Sequence, residues 1–308
     1  MLVKRIEIYN YQRGTHYFLD EYYRQQYGLR TKGGMPIVFQ PHFVIDLELY
    51  KSGPNYQQQY PHAFRAWAFA PNVENRIDFD DLNTRIFSGD TSTVDSDHYI
   101  GYFIALQEST DFVLNEKQGF VRLTEPLRDG EVLAVAFKDL NYNERGQVNV
   151  APGAPGTAFL RLLKPPYPNP QSDSWAMEWK NVYSTGWSHF QDEQLSVSIY
   201  YNPPNGEPEK ICDIGPGEGL PYLQILGLDR RDGTGQAGND GIIDRMIYTI
   251  NPECGEIYFP DLQPFDPIFP ENQTLLPEER RVPALYETTN PELLQAQRQF
   301  YIEFRLRQ

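Results

Sequence analysis

The strongest chemical constellation in the chain is Leu228-Asp229-Arg230-Arg231-Asp232-Gly233-Thr234-Gly235 followed by Asn239-Asp240-Gly241-Ile242-Ile243-Asp244. Asp229, Asp232, Asn239, Asp240 and Asp244 carry the side-chain oxygens that a hard cation takes as ligands, and the glycines let a short loop turn tightly enough for them to converge. The chemistry this pattern points to is a structural calcium site, and calcium is the one cofactor the residues suggest. The spacing does not fit the EF-hand template. A cation-free loop is the competing reading, with Asp side chains capping the backbone and pairing with Arg230, Arg231 or Arg245.

Other reactive groups are dispersed. The five histidines, at 16, 42, 62, 98 and 189, form no metal pair at i,i+2 or i,i+4. There is no G-x-S-x-G elbow, phosphate-binding glycine loop, G-x-G-x-x-G or H-E-x-x-H. Asp78, Asp80 and Asp81 form an acid cluster of the kind expected by chance among 42 acidic residues, and Asp95-Ser96-Asp97-His98 reads as a turn. No catalytic residue is assigned, and the expected activity is non-enzymatic. Trp175, Trp179 and Trp187 form either a sugar-stacking platform, with Trp175 and Trp179 on one face of a strand, or buried core.

The 308 residues suffice for about two domains. With 40% hydrophobic residues, four Trp, 18 Phe and 21 Tyr, the chain has the material for cores, and 25 Pro with 23 Gly favour strands and turns over long helices. A net charge of −15 disfavours binding to a phosphate backbone, so no nucleic-acid partner is expected. No stretch reaches the roughly 18 apolar residues of a membrane helix, and Met1-Leu2-Val3-Lys4-Arg5-Ile6 is not a signal peptide. Apolar alternation at both ends (Val3, Ile6, Ile8; Phe300, Ile302, Phe304, Leu306) suggests a segment of something longer. Cys212 and Cys254, 42 residues apart, allow one disulfide in an oxidising compartment or remain two free thiols.

The elements that must position these residues are mostly strands. Clean alternation over 43–50 and 64–69, an apolar run at 131–137, and 99–106, 175–187, 195–201 and 247–259 all read as strands. A short amphipathic helix is expected from His16 to Tyr27, ended by Gly28, with Phe18, Tyr22 and Tyr23 inward. A second is expected from Asn290-Pro291-Glu292 to about Gln299, with Asn as cap and Pro at the first position. Pro- and Gly-rich stretches at 149–156 and 164–170 place the domain boundary there. The expected fold is mainly β, with two antiparallel sandwich-like modules, 1–150 and 151–308, and two short helices.

One hairpin pattern is written twice. Phe112-Val113-Leu114-Asn115-Glu116-Lys117-Gln118-Gly119-Phe120-Val121-Arg122-Leu123 matches Tyr248-Thr249-Ile250-Asn251-Pro252-Glu253-Cys254-Gly255-Glu256-Ile257-Tyr258-Phe259. Both read apolar-x-apolar-Asn-x-x-x-Gly-x-apolar-x-apolar, with Asn and Gly supplying the turn between half-buried strands. Two copies in different halves suggest two related β modules.

The blocks that follow the hairpins carry a resemblance. Leu127 to Phe137, Phe159 to Pro165, Trp175 to Gly186, Leu226 to Arg230, Asn239 to Asp244 and Thr249 to Phe265, in that order, resemble the SprA/Sov family. These are the outer-membrane translocons of the Bacteroidetes type 9 secretion and gliding-motility system. Val3-Lys4-Arg5-Ile6-Glu7-Ile8 resembles the strand that opens the same stretch, while residues 11–98 have no counterpart in the resemblance. The resemblance implies a single repeated segment of such a translocon, in the cell envelope at the outer membrane, on its periplasmic or cell-surface face. Its partners would be other secretion-system subunits and exported protein cargo. The family brings no catalytic residues. Short, mixed strands favour soluble modules over lipid-spanning ones. The alternative is a secreted carbohydrate-binding or adhesion β-sandwich module.

Overall fold

The computed structural model describes residues 1–10, 13–19, 44–70, 97–115, 119–139, 142, 144–146, 158–245, 249–267 and 274–307. Its strands are β1 (Leu2–Glu7), β2 (His16–Phe18), β3 (Val44–Ser52), β4 (Phe64–Phe69), β5 (His98–Ala105), β6 (Phe112–Asn115), β7 (Phe120–Leu123) and β8 (Val132–Asp139). They continue as β9 (Glu144–Arg145), β10 (Ala158–Lys164), β11 (Val182–Ser184), β12 (Leu195–Tyr201), β13 (Ile250–Asn251), β14 (Glu256–Tyr258) and β15 (Phe300–Leu306). The protein is mainly β, as its composition and alternation imply. Four short α-helices occur among the described residues, at Tyr56–Gln59, Tyr222–Ile225, Ala284–Glu287 and Pro291–Ala296. None is long and apolar enough to cross a membrane.

The chain divides into two compact units. One holds the described residues between Gly14 and Trp179, and the other joins Met1–Arg13 to Lys180–Gln308. The Pro/Gly-rich stretch at 149–170 is therefore not the border between them. β10, which lies inside it, pairs with β4 and β8 and belongs to the first unit. Proline density marks where ladders stop locally, but it carries no information about which sheet the intervening strand joins.

In the first unit the large sheet closes on itself. The order β10-β4-β5-β3-β8 returns to β10 through a β10–β8 pairing, and β9 extends β8. Every pairing in this ring is antiparallel except β10 with β4, which is parallel. Period-2 alternation fills the interior with Tyr50, Phe64, Ala66, Ala68, Phe103, Val132, Ala134, Ala136, Leu160 and Leu162. Alanines on β4 and β8 leave room for the aromatic rings that share this core. Beside the ring, β2-β7-β6 forms a three-stranded sheet. Trp179 is fully buried against this sheet, 4.8 Å from Phe18 and 4.5 Å from Phe120 between ring centroids.

The second unit has two three-stranded sheets, β1-β15-β12 and β11-β14-β13, whose residues share one core. β12 buries Leu195, Val197, Ile199 and Tyr201, while β15 contributes Phe300, Ile302 and Phe304. Tyr183, Ile250, Ile257 and Phe259 enter from the other sheet.

The repeated hairpin folds the same way in both units. Asn115 pairs with Phe120 and Asn251 with Glu256, and the amide of Gly119 or Gly255 donates to the carbonyl of Asn115 or Asn251 at 2.8 Å in each. The glycines have φ of 69° and 70°, the left-handed conformation that the turn needs. The likeness extends to a third strand that the sequence pattern did not reveal. β2 places Tyr17 opposite Val121, and β11 places Tyr183 opposite Ile257, with both tyrosines fully buried. Leu19 and Thr185 donate to the Gly119 and Gly255 carbonyls, while Leu123 and Phe259 donate to the Thr15 and Asn181 carbonyls.

One expected helix is corrected. His16–Phe18 is a strand paired with Phe120–Arg122, because ladder hydrogen bonds to β7 outweigh a helical period that rests on few residues. Residues 20–27 lie outside the described set. The late helix forms as expected, with the Asn290 side chain accepting from the Glu292 amide at 2.9 Å, although it ends at Ala296.

Candidate functional site

The Asp-rich loop leaves the Tyr222–Ile225 helix and runs to the strand pair β13–β14. Leu228 and Ile243 are buried and pin its two arms to the core. The Asp244 amide donates to the Leu228 carbonyl at 2.7 Å, and Gly238 donates to the Arg230 carbonyl at 3.0 Å, which closes the loop.

Its carboxylates serve the backbone. Asp229, 1% exposed, accepts from the amides of Asp240 at 3.1 Å and Gly241 at 2.9 Å. Asp244 reaches back to the amides of Arg230 and Arg231, both at 3.1 Å. Asp232 accepts from the Thr234 hydroxyl at 2.6 Å, the Thr234 amide at 2.9 Å and the Gln236 amide at 3.1 Å. Asp240 caps Ile242, and the Asn239 side chain donates to Gln224 at 2.8 Å. Asp229 and Asp244 thus tie the two arms to each other, while Asp232 and Asp240 shape turns within an arm.

The electrostatics follow from this. Burial pushes Asp229 above the usual carboxylate range, the two amide bonds pull it back, and the charge of Asp240 adds to the rise. Asp244 is likewise raised by burial, against the amides of Arg230 and Arg231. Asp232 is held low by its three hydrogen bonds around Thr234 and Gln236. Beyond the loop, burial pushes Asp261 up to about 6, although it accepts from Gln263 and faces Arg230.

A cavity of about 300 Å³ opens at the loop, lined among others by Arg231, Asp232, Asp240, Ile242, Asp244 and Arg245. Arg231 and Arg245 stand there beside the carboxylates of Asp232, Asp240 and Asp244. Among the described residues no group of three or more His, Cys, Asp or Glu side chains is placed to hold a metal ion. The five sequence-selected residues thus share one loop, in which the carboxylates accept from backbone amides.

The remaining candidates scatter. Asp78, Asp80, Asp81, Asp95, Ser96 and His42 lie outside the described residues. Asp97 and His98 stand at the start of β5, while His62 and His189 are exposed. His16 is fully buried, 5.5 Å from the Phe120 ring. Trp175 sits on the 3-10 turn Asp173–Met177, not on a strand with Trp179, and Trp179 has no surface to offer a sugar. Trp187 belongs to the other unit and is half-buried with Lys4 over its ring. Cys212 and Cys254 form no disulfide, and the Cys212 thiol donates to the Ile214 carbonyl.

Among the buried carboxylates that escaped notice in the sequence are Glu131 and Glu303. Glu131, at the end of the ring, accepts from the Tyr56 hydroxyl and the Arg128 amide, both at 2.8 Å, and pairs with Lys51 at 3.3 Å. Glu303, 4% exposed on β15, pairs with Arg5 at 3.2 Å and Arg305 at 2.6 Å. Burial alone would raise each, yet their hydrogen bonds and cations hold both below the usual carboxylate range. The available signal was a lone acid within an apolar run, at Gly130-Glu131-Val132 and Ile302-Glu303-Phe304. No family model matches the chain, and no curated protein matches it.

Proposed function

We propose that the chain is a non-enzymatic building segment of a SprA-like outer-membrane translocon, supporting type 9 protein secretion and gliding. The observation that carries this reading is the coincidence of the family-like blocks with a duplicated strand frame. The blocks at 127–137, 159–165, 175–186 and 249–265 lie on or beside β8, β10, β11, β13 and β14, strands of both units, while those at 226–230 and 239–244 form the Asp-rich loop. A repeated module that spends its polar residues on caps and buried ion pairs suits a scaffold that shapes a conduit or its cover.

The role is passive: sheet surfaces position neighbouring segments, secretion-system subunits and cargo. The ring of the first unit is filled by apolar side chains, unlike the polar lumen of a membrane barrel, and this favours a module outside the lipid. The sugar-binding alternative loses support from the burial of Trp179.

The test is deletion of the encoding segment in a bacterium that secretes by this route, with fractionation of the envelope. The expected result is recovery of the chain with the outer membrane, together with cargo retained in the periplasm. Normal export and gliding in the deletion strain would overturn the proposal. Binding to a glycan array, abolished by Trp175→Ala or Trp187→Ala in a folded protein, would put the carbohydrate module in its place.

A further inference from the structure

Both units take an incoming strand on the same edge of the same element. In the first, β8 receives β10 antiparallel with Arg161 opposite Val135, and β3 covers the other edge with Leu49 opposite Val135. In the second, β15 receives β1 antiparallel with Ile6 opposite Ile302, and β12 covers the other edge with Ile199 opposite Ile302. The receiving strands match in pattern: Leu133-Ala134-Val135-Ala136-Phe137-Lys138 against Phe300-Tyr301-Ile302-Glu303-Phe304-Arg305. The chain is thus two copies of one frame: opening strand, third strand, covering strand, hairpin, closing strand.

The opening strands are exchanged between these copies. β10 opens the second copy but completes the closing strand of the first. β1 opens the first copy but completes the closing strand of the second, although the whole first unit intervenes in sequence. The step from β8 to β10 runs forward into the next copy, and the step from β15 to β1 runs back to the start. The forward step repeated across two molecules would pair β15 of one chain with β1 of another. We propose that the β15 edge is a strand-exchange site whose partner is β1 of a second copy of this chain. The product joins copies head to tail through a β1–β15 strand pairing.

The contacts that hold β1 divide between donor and acceptor. The acceptor, all within Lys180–Gln308, offers the Glu303 carboxylate, the Gly186 carbonyl, the Trp187 ring and the Tyr183 hydroxyl. The donor brings Arg5 to Glu303 at 3.2 Å, Lys4 to Gly186 at 2.7 Å and the Ile8 carbonyl to Tyr183 at 2.9 Å. Ile8 fills the core while Met1 to Arg5 are exposed, so β1 is anchored at one end and peels from the other. Every one of these contacts is available to a β1 from another molecule. A strand held by ladder bonds, one buried side chain and a cation on a buried carboxylate is the kind that swaps. This inference stands apart from the translocon reading, because it rests on strand pairing alone.

Cysteine pairing across the register Val3 to Arg305 tests it on the full chain carrying Cys254→Ser. Val3→Cys and Arg305→Cys are placed on separate molecules with tags of different size, mixed, concentrated and oxidised. The expected result is a mixed disulfide band at twice the chain mass that grows with protein concentration. A double variant, Val3→Cys with Arg305→Cys in one chain, reports the register at high dilution by closing within the molecule. If the double variant closes while the mixed singles stay uncoupled at every concentration, β1 is fixed in its own chain and exchange is refuted. If neither couples, the β1–β15 register is wrong and the proposal falls with it.

Discussion

Gly255→Ala is the substitution that tests the duplicated hairpin most directly, because Gly119→Ala measures the same turn in the other unit. Both glycines stand near φ 70°, a conformation that costs an L-residue roughly 1–2 kcal/mol. Alanine recovers part of that by restricting the unfolded chain, leaving a net loss of about 1 kcal/mol. At Gly255 a Cβ would also run into the carbonyl oxygen of Trp187. That oxygen belongs to backbone held by Thr185, whose hydroxyl donates to it at 2.9 Å, so it cannot rotate away as a side-chain tip could. Overpacking of this kind adds about 1–3 kcal/mol, for a total of roughly 2–4 kcal/mol. Urea unfolding followed by circular dichroism gives the free energies. Fluorine NMR of 5-fluorotryptophan protein assigns the loss to a unit, since Trp187 reports on one and Trp67, Trp175 and Trp179 on the other. The Trp187 signal should move to its unfolded position at lower urea in Gly255→Ala. A Gly255→Ala variant that loses no more than about 1 kcal/mol would show that the close approach to Trp187 is absent and the reasoning unsound.

Asp261 has its folded pKa raised by burial to about 6, so the folded state binds more protons than the unfolded between the usual carboxylate range and about 6. Its contribution to stability is present below that window and lost as pH rises through 6. Asp261→Asn should therefore stabilise the protein at pH 7 by up to about 3 kcal/mol and leave pH 4 stability nearly unchanged, while retaining the oxygen that accepts from Gln263. Equal effects at both pH values in thermal melts would remove the burial argument. For the Asp-rich loop, Asp244→Ala deletes two amide caps, and the geometry predicts a loss of about 1–2 kcal/mol that is the same in calcium and in chelator. A markedly larger drop in melting temperature with calcium present, shared by Asp240→Ala, would mean that the loop binds the cation.

Much of this protein was legible before any coordinate. Alternation at 44–50 and 64–69, the paired Asn–Gly hairpins and the Asn290-Pro291 start all act over a few residues, where side-chain period and turn chemistry dominate. The hairpins even disclosed the duplication. His16–Phe18 failed because a short stretch has a local preference too weak to resist a partner strand, and the partner, Phe120–Arg122, is a hundred residues away. Separation also hid the role of β10, whose β4 partner lies 92 residues earlier, with Ala158 opposite Ala66. Its proline-rich flanks look like a border, yet its register with Val135 and Ala134 makes it part of a closed ring.

The candidate site divides along the same line. That Asp229, Asp232, Asn239, Asp240 and Asp244 share one loop is a property of spacing, and composition sufficed to name them. Whether their oxygens turn toward a common point or toward amides depends on how Leu228 and Ile243 anchor the arms, which only packing fixes. Glu131 and Glu303 are the converse case. In sequence each is one acid among 42. Only the fold brings Lys51 and Tyr56 to the first, and Arg5 from the far end of the chain to the second. Local order is set by forces that reach a few residues. Pairing, closure and the fate of buried charge are set by contacts between residues that the chain itself keeps far apart.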